Sequence, residues 1–151
     1  MNLHDLGANN ALGLNVPRIL VVDDDDAIRE SIRLALDTID IEVIAVESGE
    51  RALEAFGRAS FDGAIVDLMM PGMNGLETIR ALRLRAPDLP VVVISGSLMQ
   101  AGCGVPDQLR AATEMRGVTS LPKPFKLSAL LGIARATFAV VPRLPETKPA
   151  A

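Results

Sequence analysis

Ala64-Ile65-Val66-Asp67-Leu68-Met69-Met70-Pro71-Gly72-Met73-Asn74-Gly75 is the stretch whose reading decides the fold. A short apolar run ends in one carboxylate, a turn containing proline and glycine follows, and a helical pattern begins at Leu76. Four to eight apolar residues closed by turn residues describe a buried strand. A strand covered on both faces tolerates a charge only at its end, because ionised carboxylates are rarely buried unpaired. Asp67 is therefore expected outside the carboxyl end of a strand, where open α/β sheets hold their ligands. Taken alone, this carboxylate could equally cap the turn. The other strands decide between the two.

The same grammar recurs along the chain. Ile19-Leu20-Val21-Val22 stops abruptly at Asp23-Asp24-Asp25-Asp26, after which Ile28, Ile32, Ala35, Leu36 and Ile39 fall on one helical face. Acids at a helix start cap free N–H groups and favour the positive dipole end. That accounts for Asp25 or Asp26, but not for charges that begin at the last strand residue. Ile41 to Val46 alternates more and is expected at a sheet edge, and Ser48 is placed to cap a helix from Gly49 to Arg58. Phe61 to Asp67 is the third strand. The helix Gly75 to Arg85 turns Leu76, Ile79 and Leu82 inward, with Leu84 beside them, and leaves Arg80, Arg83 and Arg85 on a solvated face. Leu89 to Ile94 is a fourth strand ending in Ser95-Gly96-Ser97. The glycine-rich stretch Gly96 to Pro106, with Met99 and Cys103, has no period. A short helix, Asp107 to Met115, a fifth strand, Val118 to Leu121, and a last helix, Leu127 to Val140, complete the pattern. Pro122-Lys123-Pro124-Phe125 closes the fifth strand.

Composition bounds the function. The chain has 151 residues, enough for one domain with a proper core. Residues 1–17 read as a flexible N-terminal arm, in which His4 is a solvated side chain, 18–140 as the domain, and 141–151 as a proline-containing tail. A net charge of −4 leaves no electrostatic footprint for nucleic acid or an anionic membrane. With four Phe and no Trp or Tyr, base-stacking platforms are not expected. The single Cys103 excludes an intramolecular disulfide and a metal-binding cysteine pair. No signal peptide and no membrane-length apolar run is visible, so a cytoplasmic protein is the expectation.

Five strands alternating with helices imply a parallel sheet with right-handed crossovers. In a doubly wound five-stranded sheet of order 2-1-3-4-5, with helices on both faces, the ends of strands one, three, four and five are neighbours at the switch point. Those ends carry Asp23 and Asp24, Asp67, Ser95, and Lys123. Carboxylates crowded together repel, so one takes a proton or a cation neutralises them. Oxygen ligands with room for waters suit Mg²⁺. A lysine adds a point charge for an anionic oxygen, and a hydroxyl adds a hydrogen bond. Together these describe a phosphoryl-transfer site with an aspartate nucleophile.

Val21-Val22-Asp23-Asp24, the run Val66 to Gly75, Ser95-Gly96 and Leu121-Pro122-Lys123-Pro124-Phe125 closely resemble the receiver domain of bacterial response regulators, from about Arg18 to about Val140. The resemblance implies the flavodoxin-like (CheY-like) fold and a set of roles. Asp67 accepts phosphate from the phosphohistidine of a histidine kinase or phosphotransfer protein. Asp24 and Asp67 ligate Mg²⁺ directly with the backbone carbonyl of Met69, and Asp23 holds a metal-bound water. Ser95 and Lys123 bind the phosphoryl oxygens, and the bond before Pro124 is cis, which only X–Pro bonds adopt cheaply.

The chain departs from that pattern in three places. The segment from Ser95 to Lys123 is longer than usual. Ser120 stands where the family often has an aromatic that fills the space vacated when Ser95 moves, so the switch is expected in Gly96 to Pro106 instead. Apolar Met69 and Ser97 occupy positions that tune the phosphoryl lifetime. A stand-alone two-component signalling module follows, not an enzyme in the ordinary sense, passing its signal to a downstream protein target, with no direct nucleic-acid or membrane contact. A phosphorylation-dependent homodimer stays open. Two alternatives compete with it: a degenerate receiver that binds without phosphorylation, and a haloacid-dehalogenase-like phosphatase using Asp23 and Asp25. The latter lacks a later acidic pair.

Overall fold

The computed structural model describes residues 16–96 and 107–138. Along the chain these form β1 (Arg18–Val22), α1 (Asp26–Asp37), β2 (Glu42–Val46), α2 (Gly49–Phe56), β3 (Gly63–Asp67), α3 (Gly75–Arg85), β4 (Val91–Ser95), α4 (Asp107–Thr113), β5 (Val118–Pro122) and α5 (Leu127–Thr137). All strand pairs are parallel, and the order is β2-β1-β3-β4-β5. This is the expected doubly wound sheet, with β2 at one edge.

Period-two alternation divides the apolar strand residues between two cores. Leu20, Val22, Ala64, Val66, Val91 and Val93 face α2, α3 and α4, meeting Ala52, Leu76, Ile79, Leu82 and Ala112. Ile19, Val21, Ile65, Val92, Ile94 and Leu121 face α1 and α5, meeting Ile32, Ala35, Leu36, Leu130 and Ala134. Strands buried on both faces must be apolar throughout, as in parallel sheets generally. The three central strands are buried along nearly their whole length, so their polar residues stand only at the strand ends, Arg18 at the amino end of β1 and Asp67 and Ser95 at the carboxyl ends of β3 and β4.

The caps agree with the sequence in kind. Asp25 is the N-cap of α1, its carboxylate accepting from the Ala27 and Ile28 amides. Ser48 caps α2 and Asn74 caps α3 in the same way. Several boundaries differ from the expectation. β3 begins at Gly63 rather than Phe61, β4 runs Val91–Ser95 rather than Leu89–Ile94, and α2 and α4 stop two residues early. Hydrophobicity marks what is buried, whereas a strand begins where its ladder begins.

Two side chains of α3 exchange the expected environments. Leu84 is 86 % exposed and faces water, not the core. Arg83 lies instead against the turn at Gly117, where a Cβ would come within 3.2 Å of its Nη2. Its Nη1 donates to the Pro87 carbonyl at 3.3 Å, while Nε and Nη2 are buried without a partner among the described residues. Burial holds this guanidinium below its usual range, against the opposing charge of Asp88. Adjacent positions on a helix lie about 100° apart, so a small rotation of the buried stripe decides which of two neighbours is inside. The N-terminal arm up to residue 15, with His4, lies outside the described residues, as do 97–106, with Met99 and Cys103, and everything after Phe138.

The turn from Asp67 to Gly75 depends on one close approach. The Gly75 amide donates to the Leu68 carbonyl at 3.0 Å, and a Cβ on Gly75 would stand 2.3 Å from the Asp67 carbonyl oxygen. Backbone meets backbone there, so no rotamer change relieves the contact. Gly75→Ala is expected to destabilise the fold by about 1–3 kcal/mol, the scale of overpacking. Gly132, inside α5, has nothing within 4 Å of its added Cβ; Gly132→Ala is expected to stabilise by about 0.5–1 kcal/mol. Urea unfolding of both variants checks the pair.

Candidate functional site

The carboxyl ends of the strands place four charged side chains together. Asp23 follows β1 directly, Asp67 ends β3, and Lys123 follows β5. Because β1 and β3 are neighbours with Val22 opposite Val66, Asp23 and Asp67 emerge side by side. Carboxylate oxygens of Asp23, Asp24 and Asp67 all lie within 4.8 Å of one another. Asp23 is fully buried and Asp67 is 3 % exposed, while Asp24 is open to solvent.

Each buried acid is held by the backbone around it. Asp23 Oδ1 accepts from the Asp25 amide at 2.9 Å, and Asp67 Oδ1 accepts from the Met69 amide at 3.3 Å. The remaining oxygens face Lys123. Its Nζ donates to Asp23 Oδ2 at 3.1 Å and stands 3.5 Å from Asp67 Oδ2. The main chain anchors this lysine as well: the Lys123 amide donates to the Ser95 carbonyl at 2.6 Å. The Lys123–Pro124 bond is cis. Ser95 is buried and ends β4, one residue beyond Ile94, the ladder partner of Asp67.

Two carboxylates and one ammonium leave an excess of buried negative charge. Burial first, and the Asp23 charge second, push the Asp67 carboxyl up to about 6, against the pull of Lys123 and the Met69 amide. Burial alone would lower the Lys123 ammonium, but the hydrogen bond and charge of Asp23, with Asp67 behind them, outweigh it and raise it above its usual range. Hard oxygen donors with one solvent-open side, Asp24, suit a small divalent cation that retains waters. A cation there would relieve the repulsion between Asp23 and Asp67.

Other candidates from the sequence fall differently. Asp25 is committed to the α1 cap, and its carboxylate is directed at two helix amides. Asp26 points outward and pairs with Arg29. Ser120 lies in β5 and is exposed. Met69 is 51 % exposed beside Asp67. Gly96 is described, but Ser97 and the rest of the stretch expected to act as the switch lie outside the described residues. Sequence reasoning did not single out Arg29, which donates from Nη1 to the Asp23 carbonyl at 2.6 Å. Its place on the fourth residue of α1 looks, in sequence, like any surface arginine.

The raised Asp67 has a consequence for stability. Its ordinary value is 3.8, so the folded chain holds more protons than the unfolded one between 3.8 and about 6. Stability associated with the neutral carboxyl is present at low pH and lost as pH rises through about 6. Asp67→Asn, which keeps the shape without the charge, is expected to raise the thermal midpoint of metal-free protein at neutral pH by about 2–4 °C. The gain should shrink toward pH of about 4, where the carboxyl is protonated in the folded chain. Thermal scans at both pH values, without divalent cations, check this.

Comparison with known proteins gives a consistent result. A model of the response regulator receiver domain matches residues 19–135. The response regulator MprA of Mycolicibacterium vanbaalenii is 39% identical over 119 residues, covering 79% of this chain and 49% of that protein. Its counterpart from Mycobacterium leprae is 40% identical over the same length, covering 79% and 50%. The chain thus spans about half the length of the curated relatives it matches. Among solved structures, the chemotaxis protein CheY4 of Vibrio cholerae superposes with a TM-score of 0.71 at 26% identity, over 81% of this chain and 98% of that one. Among the described residues, no helix is long and apolar enough to cross a membrane. The sheet order, the acid cluster at its carboxyl edge and these likenesses converge: the chain belongs to the response regulator receiver domain family.

Proposed function

We propose that Asp67 is the phosphoacceptor of a two-component signalling module, charged by a histidine kinase or a phosphotransfer protein. The observation that carries this is a buried strand-end carboxylate flanked by two further carboxylates and one lysine. An isolated structural aspartate has no use for such neighbours. With a carboxyl that titrates at about 6, Asp67 is mostly ionised at neutral pH and available as a nucleophile.

In the transfer, an Asp67 carboxylate oxygen attacks phosphorus and forms the acyl phosphate. The P–N bond of the phosphohistidine breaks, and its electron pair stays on the imidazole nitrogen, which ends protonated or hydrogen-bonded in the donor. Asp24, Asp67 and the Met69 carbonyl would hold Mg²⁺, with Asp23 acting through a water. Bound there, the cation supplies electrostatic stabilisation of the charge on the moving phosphoryl oxygens. Lys123 exchanges its carboxylate partners for a phosphoryl oxygen, and the Ser95 hydroxyl donates to another. The Asp25 cap argues against the phosphatase alternative, since its carboxylate is occupied by helix amides rather than turned to a leaving group. The signal then passes to a protein target in the cytoplasm through a surface that differs between the two states, a phosphorylation-dependent dimer being one form of it.

Incubation with a small phosphodonor and Mg²⁺ is expected to add one phosphoryl group by intact mass. The addition should vanish in Asp67→Asn and after chelation; full labelling of Asp67→Asn would overturn the assignment. A second expectation concerns the acids of the first turn. Asp24→Ala should weaken Mg²⁺ binding by about tenfold or more. Asp26→Ala should weaken it less, since Asp26 is exposed and reaches the site only through its pair with Arg29. Calorimetric or NMR titration of both variants measures the difference. Equal effects would reassign the whole acidic run to helix capping.

A further inference from the structure

The β1–α1 turn carries two of the three clustered carboxylates, yet the Asp24 side chain makes no hydrogen bond of its own within the described residues. What orients Asp24 is the backbone on either side of it. Asp23 is fixed at its amide by the Val46 carbonyl, at Oδ1 by the Asp25 amide and at Oδ2 by Lys123. Its carbonyl is fixed by Arg29. One guanidinium nitrogen, Nη1, donates to the Asp23 carbonyl at 2.6 Å, and the other, Nη2, pairs with Asp26 Oδ1. The arginine therefore grips the turn on both sides of Asp24, from the strand end to the first helical residue. Although it sits in the second turn of an amphipathic surface helix, its side chain is only 16% exposed. A freely solvated arginine is not held in this way.

We propose that Arg29 is a positioning residue for the cation site. Its two-pronged guanidinium fixes the Asp23–Asp26 turn so that the Asp24 carboxylate is presented toward Asp23 and Asp67. The inference rests on the proposed function, in that the cation it serves is the Mg²⁺ of that reading. Planar geometry is essential to it: a guanidinium reaches two acceptors at a fixed angle, which an ammonium cannot reproduce.

Charge gives the inference a sign that separates it from rival accounts. A positive group beside three carboxylates opposes a divalent cation by simple Coulomb repulsion. If Arg29 acted only through its charge, removing it would tighten Mg²⁺ binding. If it only stabilised α1, removing it would lower the melting temperature and leave Mg²⁺ affinity unchanged. Positioning predicts the opposite of the first and more than the second.

The test is Mg²⁺ titration of the full chain, followed by NMR or calorimetry, for Arg29→Lys and Arg29→Met beside the unaltered protein. Arg29→Lys keeps the charge, the aliphatic stem and the helix propensity, so it isolates the fork and is the variant that folds in any case. Both variants are expected to weaken Mg²⁺ binding by about tenfold, the loss usual when a group that orients a metal ligand is removed. Unchanged affinity in Arg29→Lys with tighter binding in Arg29→Met would overturn the proposal in favour of charge alone. Lower melting temperatures with unchanged affinities would overturn it in favour of helix stability. Failure of the underlying reading is separately visible: the unaltered chain would then show no saturable Mg²⁺ binding that Asp24→Ala removes.

Discussion

Repulsion between Asp23 and Asp67 is the constraint on which the rest of the site depends. Both carboxylates are buried at the carboxyl edge of the sheet, and Lys123 is the one cation within 4 Å of either among the described residues. Desolvation and like charge together make the ionised form of Asp67 unfavourable, which is why its carboxyl titrates at about 6. A fold that tolerates this arrangement must be stable for other reasons. Here two apolar cores sandwich the sheet and hold the strand ends in place whatever the charge upon them. Such repulsion would be relieved by a cation or a phosphoryl group that redistributes this charge.

Around those carboxylates, backbone rather than side chain sets the geometry. The Asp25 amide orients Asp23, the Met69 amide orients Asp67, and the Ser95 carbonyl anchors the amide of Lys123. Gly75 lets the first turn of α3 close onto the Asp67 carbonyl, so the strand end and the helix start are one rigid corner. A site built this way is precise because its directing groups belong to ladders and caps that the whole domain stabilises. Arg29 extends the same logic to the β1–α1 turn, where a side chain supplies the restraint that the ladder does not.

The β5 side of the sheet is less enclosed. Thr119, Ser120 and Pro122 are exposed, and only Leu121 of that strand is buried. A serine at position 120 buries little apolar area in any rotamer, so its own rotation can bias two conformations only weakly. A transition in this receiver must draw its energy from other contacts, such as those of Lys123 with Asp23 and Asp67, which the proposed function would exchange for a phosphoryl oxygen. Met69, half exposed beside Asp67, adds an apolar shoulder with no group to orient a water.

Much of this was legible in the chain. The alternation of apolar runs with 3.6-period segments determined the parallel doubly wound sheet, because strands covered on both faces must be apolar and helices covering them must be amphipathic. The same pattern confined charge to strand ends, so Asp23, Asp24, Asp67 and Lys123 could be named together from their places in it. Local chemistry named Ser48 as a cap and left Asp25 and Asp26 as equal choices, since two acceptors stood at that helix start, while the Asn74 cap of α3 was not singled out. Tertiary structure alone decided the rest. It chose Arg83 over Leu84 for the inside of α3, and it raised Asp67 by burying it beside Asp23. It also turned Arg29 back onto the Asp23 carbonyl. Those outcomes depend on distances between residues remote in sequence, or on rotamers chosen by packing, and a one-dimensional pattern of apolar and polar residues carries neither.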